Sequence, residues 1–240
     1  MDQISISVST PDFSIPLPKR KVRPKRDPYD GLRPWSAITH GAGAVLALLG
    51  TLFLLMRSFG NWSRFSSFAV YGISMIGLYT ASTLYHSINT SVRGRLALRK
   101  YDHCSIYLLI AGSYTPVCLI ALNGTLGITL VTLIWVLAAA GMVLSIAWID
   151  CPRWLTSSVY LFTGWLALFA IQPISRALPT EGMVALVLGG ILYSIGGVLY
   201  ALKWPGRNNP RFGCHEIFHV FIVLGSISHF WLMYQVIAYL

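Results

Sequence analysis

The sequence predicts an all-α membrane protein: a seven-transmembrane helix bundle with its N-terminus cytoplasmic and its C-terminus outside. Three observations carry this. Of 240 residues, 55% are apolar and 11% charged, with a mean hydropathy of +0.63, whereas soluble domains hold about 25% charged residues. The apolar residues gather into seven runs close to the roughly 20 residues needed to span hydrocarbon. Finally, 15 of the 18 Lys and Arg fall on segments that alternate onto a single side, which the positive-inside bias makes cytoplasmic.

Residues 1–34 stand apart as a disordered basic cytoplasmic tail. They are rich in Ser and Pro and then strongly basic at P-K-R-K-V-R-P-K-R, Pro18 to Arg26. No apolar stretch of signal-peptide type follows the N-terminus. The basic cluster reads as a topology determinant resting on anionic lipid. The net charge of +10 is thereby explained without a nucleic acid partner. Residues 35–240 form the seven-helix transmembrane domain. Its first span, 35–56, carries His40. The second, 66–88, runs from outside to inside and ends in S-T-L-Y-H. The third, 103–122, starts inside, beside Asp102 and His103. The fourth, fifth and sixth, 126–147, 155–174 and 183–202, hold no Asp, Glu, Lys, Arg or His. The seventh, 215–239, starts inside at C-H-E-I-F-H and carries His229 further along. Gly72, Gly77, Gly112 and Gly225 suit close helix approach. No internal repeat suggests an inverted-repeat transporter.

Ionisable residues within spans are costly and therefore informative. The alternating topology delivers His86, Asp102, His215 and His219, from three separate helices, to one inner-leaflet layer. His215 and His219 are four apart, about 40° around the helix and about 6 Å along it, so both rings face one point. Ser82 precedes His86 by the same interval. Three neutral imidazoles suit Zn²⁺, which in catalytic sites takes three protein ligands and a water. His86, His215 and His219 are the candidate ligands, with Asp102 as an orienting carboxylate or as a base. His103 points about 100° away from Asp102, toward a neighbour or the headgroups. His40, at a similar depth, reads as a packing or supporting partner. His229 lies about 21 Å beyond His215, too far to share the site. Four cysteines, Cys104, Cys118, Cys151 and Cys214, have neither metal nor redox spacing.

The H-E-x-x-H at His215 to His219 would in a metalloprotease make Glu216 the base. The further acidic ligand of membrane-embedded proteases is missing. Glu216 is left as an alternative base or as a headgroup-facing residue favoured by the helix dipole.

S-T-L-Y-H (Ser82 to His86), Y-D-H-C-S-I-Y-L-L-I-A-G-S-Y-T-P (Tyr101 to Pro116), H-E-I-F-H-V-F-I-V-L-G-S-I-S-H-F (His215 to Phe230) and A-I-T-H-G-A-G (Ala37 to Gly43) together resemble the hemolysin III family. That family is the bacterial branch of the adiponectin and progestin receptor group. The resemblance covers about residues 34–240. It implies a multi-pass protein of the bacterial cell (inner) membrane, with a zinc near the cytoplasmic face held by His86, His215 and His219. Ser82 and Asp102 match the accompanying polar residues. The related alkaline ceramidases imply a zinc-dependent hydrolase acting on lipid amide or ester bonds, with Asp102 and Ser82 catalytic and a membrane lipid as substrate. The alternative is a receptor-like or cytolytic protein with a structural zinc. A channel would need polar residues continuing through the bundle, for which His229 and a few Ser and Thr are thin support.

Overall fold

The computed structural model describes residues 32–206, 209 and 211–240; the basic tail expected over 1–34 lies, up to residue 31, outside them. Among the described residues, seven helices are long and apolar enough to cross a membrane: α1 Pro34–Arg57, α2 Trp62–Ser87, α3 Val92–Leu122, α4 Gly124–Ala147, α5 Arg153–Ala177, α6 Thr180–Leu202 and α7 Cys214–Tyr239. No strand occurs among the described residues. This is an integral, multi-pass arrangement, because helices satisfy their backbone groups internally and so tolerate hydrocarbon. Large apolar side chains such as Ile73, Val143 and Phe169 point outward, where lipid is their natural solvent.

Local chemistry sets the helix ends. Pro34 opens α1, where its missing N–H costs nothing. Asn61 accepts the Arg64 N–H at 3.0 Å to cap α2, and Ser91 accepts that of Gly94 at 3.2 Å to cap α3. Ser91 accounts for the main departure from the expected boundaries. Apolarity alone starts the third span at 103, yet the cap begins the helix at Val92 and carries Arg93 to Lys100 as helical turns. Asp102 and His103 therefore sit in the third turn of α3, not at its start. Beyond Pro116, α3 ends in a wider π-helical stretch, Val117–Leu122. A 3₁₀ stretch, Trp165–Ala170, interrupts α5.

α1 packs against α2 and α7, α2 against α3, α3 against α4, and α7 against α6, which leans on α5. Tyr71, Tyr79, Tyr107, Phe68 and Leu54 are fully buried between them. Close approach occurs where glycine was expected to permit it at Gly72 (against Thr51), Gly112 (against Ser74) and Gly225 (against Tyr193). Gly77 instead faces open space. α1 and α7 run in the same direction, because their contacts climb together: Ser36 meets Glu216, His40 meets His219, and Arg57 reaches the Tyr234 carbonyl.

Candidate metal centre

The ends of two helices are anchored before any imidazole is placed. At the close of α2, Arg95 donates from Nη1 to the carbonyls of Tyr85 (3.0 Å) and Ile88 (2.8 Å), and its guanidinium lies over the Tyr85 ring. The Arg33 N–H donates to the His86 carbonyl at 3.0 Å. These bonds occupy carbonyls that a helix C-terminus leaves without partners. At the start of α7, Glu216 accepts from the Gly213 N–H at 2.9 Å through Oε2. Its Oε1 accepts from Arg33 Nη1 at 2.9 Å and from Ser36 Oγ at 3.3 Å. Arg33 thus ties together the two helices that carry the candidate ligands. Glu216, only 2% exposed, does not face the headgroups; it is committed to this cap and ion pair.

On that frame His86, His215 and His219 converge. His215 Nε2 lies 3.1 Å from His86 Nε2 and 3.1 Å from His219 Nε2. One nitrogen from each ring falls within 4.8 Å of the others, a group able to hold a metal ion. Tetrahedral coordination at 2.0–2.1 Å from each nitrogen would separate the nitrogens by roughly 3.3 Å. The side chains therefore already stand near the spacing an ion requires. The donor set fits as well: imidazole suits zinc and several other divalent metals.

Asp102 is not one of the converging donors. It lines the same cavity as the three histidines, and its Oδ2 lies 3.6 Å from His103 Nδ1. Ser82, buried one turn from His86, also lines that cavity. The void measures about 280 Å³. It passes from this polar end between apolar walls that include Leu78, Ile110, Val117 and Ile174. His103 holds its own helix, with Nδ1 2.9 Å from the Arg99 carbonyl. Cys214 is a buried free thiol outside the donor group.

His40 and His229 occupy two further environments. The His40 ring stacks on that of His219, with centroids 3.7 Å apart and planes at 25°. His229 sits deeper, its Nε2 3.3 Å from the Leu186 carbonyl. Its neighbour Tyr193 joins Tyr79 in hydrogen bonding to Ser226, at 2.9 and 2.7 Å. Sequence reasoning missed Arg33 and Arg95 as anchors of the site. Both were counted only as charges that set topology, and nothing local distinguishes an arginine that clamps a helix end from one that faces lipid headgroups.

Comparison with known proteins finds relatives over most of the chain. A family model described as Haemolysin-III related matches residues 34–230. The chain is 40% identical over 197 residues to "Hemolysin-3 homolog" of Bacillus subtilis (strain 168), covering 81% of this chain and 89% of that protein. It is 40% identical over 199 residues to "Hemolysin-3" of Bacillus cereus, covering 81% and 87%. A more distant similarity, 27% over 198 residues, joins it to "Heptahelical transmembrane protein 1" of Arabidopsis thaliana, covering 72% of this chain and 57% of the plant protein.

Proposed function

The chain belongs to the haemolysin III family of multi-pass bacterial membrane proteins, and from that premise we propose that it is a zinc-dependent hydrolase of lipid amide or ester bonds near the inner leaflet. One observation carries the proposal. Three converging imidazoles share a single cavity with a carboxylate and a hydroxyl, and that cavity continues along apolar side chains that include Leu78, Ile110, Val117 and Ile174. A site that only staples helices has no need of a carboxylate outside the ligand set or of a void beside it.

His86, His215 and His219 would hold the ion. When bound, zinc would supply a Lewis acid and lower the pKa of a coordinated water toward neutrality. Asp102 accepts a proton from the attacking water and returns it to the leaving amine or alkoxide. Ser82 donates a hydrogen bond toward the oxygen on which negative charge develops. The apolar walls take the acyl chain and keep bulk water from the reacting carbonyl. Glu216 is excluded as the base by its commitments to Gly213, Arg33 and Ser36.

Asp102→Asn tests the assignment. Metal content and hydrolysis of a lipid amide panel are measured on detergent-purified protein. Zinc is expected to stay near one per chain while turnover falls about 10²- to 10⁴-fold. Unchanged turnover removes Asp102 as the base. Zinc without turnover in the unaltered protein leaves a structural metal in a receptor-like or lytic protein.

A further inference from the structure

We propose that His40, on a helix that contributes no candidate ligand, is a positioning residue of the metal centre: its ring, stacked on that of His219, fixes the orientation in which His219 presents Nε2. The inference rests on the metal reading given above and extends it to α1.

The argument begins with what His219 lacks. A histidine that ligates a metal is almost always oriented by a hydrogen bond from its other ring nitrogen to a carboxylate, a carbonyl or water. His219 is 2% exposed, and its Nδ1 has no hydrogen-bond partner. The usual orienting bond is missing, yet the ring stands in register with His215. The group that meets it is the flat face of His40, 3.7 Å away and nearly parallel.

His40 itself shows what it is there for. It is 3% exposed, and both of its ring nitrogens are buried without a hydrogen-bond partner. A core histidine placed for its hydrogen bonds would show at least one, since buried polar groups are paired as a rule. What the fold uses is the ring face. That face cannot drift. On its other flank the ring meets the edge of Tyr79, with centroids 5.0 Å apart and planes at 87°. Tyr79 is seated in a notch left by Gly43, where an added Cβ would come within 2.8 Å of its ring. The Tyr79 hydroxyl is tethered to Ser226 at 2.7 Å. Ser36, His40 and Gly43, at the i, i+4, i+7 spacing of one helix face, therefore place Glu216, His219 and Tyr79 in turn.

The test is metal binding by the full-length protein, read by competition with a chelating dye for Zn²⁺ and by the visible absorption of bound Co²⁺. His40→Ala, His40→Asn and His40→Phe are compared with the unaltered chain. Ala and Asn remove the ring, Asn while keeping polarity, and Phe keeps a flat face without nitrogens. Zinc affinity is expected to fall 10- to 100-fold in Ala and Asn, with altered Co²⁺ bands, and to stay close to the original in Phe. Thermal midpoints of the metal-free proteins report folding separately, and Phe serves if Ala leaves an unstable core. Equal affinity and spectra in all four proteins overturn the proposal. Retention in Asn with loss in Phe overturns it too, by assigning the role to the nitrogens. No metal bound by the unaltered chain removes the metal reading itself, and this inference with it.

Discussion

Two polar clusters interrupt the apolar interior, and α7 contributes to both. Near its start, His215 and His219 meet His86 through nitrogen atoms that face one another. About two turns deeper, Ser226 gathers the hydroxyls of Tyr79 and Tyr193, and His229 turns Nε2 toward the Leu186 carbonyl. In the second cluster hydroxyls both donate and accept and a backbone carbonyl takes up the His229 Nε2 proton, while His229 Nδ1 stays buried without a partner. In the first, neutral imidazoles each bring one lone pair to the same point and have at most one proton to share across each pair. Residue type alone separates neither histidine pattern from the other. What separates them is whether the ring nitrogens of several histidines converge on one another or a single histidine turns to a backbone carbonyl.

The contrast can be broken by substitutions of graded size. The largest effect is expected from His219→Ala, which should abolish stoichiometric metal binding while His229→Ala leaves it near one ion per chain; metal analysis after gel filtration reads both. The loss of turnover in Asp102→Asn ranks next. Glu216→Ala then tests whether the inner cluster depends on its frame. That change leaves Arg33, Ser36 and the Gly213 N–H without their acceptor, and hydrogen bonds to a charged group contribute about 1.5–3 kcal/mol. Because Arg33 is 37% exposed, the lower end of that range applies. A lowered thermal midpoint with weaker but still stoichiometric metal binding is the expected result, and an unaltered midpoint would show that Arg33 anchors nothing. The smallest effect belongs to Ser226→Ala, which should cost about 1 kcal/mol of stability and leave metal content untouched. Metal loss in that variant would mean that the two clusters are one.

Much of this was open to reading in the chain itself. The spans follow from apolar run length, and the shared depth of His86, Asp102, His215 and His219 follows from counting crossings. The i, i+4 spacing of His215 and His219 fixes their common face. The start of α3 was misplaced by hydropathy, because a serine cap and a run of basic residues make a good helix that is not apolar. The partners of Glu216 and His219 were hidden for a different reason. Arg33 is 183 residues from Glu216, and the His40 stack joins the first span to the seventh. Such pairings depend on how helices rotate about their axes, which periodicity leaves open when, as here, apolar residues surround most of each helix. The cavity was equally hidden, since a void belongs to no single segment.

The distance of 129 residues between His86 and His215 has a consequence in time. A ribosome adding about 5–20 residues per second needs roughly 6–26 s to pass from one to the other. Through that interval the nascent chain in the membrane offers only one of the three candidate ligands. The centre is therefore assembled only when α7 arrives, already capped by Glu216, and docks along α1. If the three histidines hold a metal as proposed, its uptake would follow the last act of insertion, and a bound ion would mark a chain whose spans have all found their places.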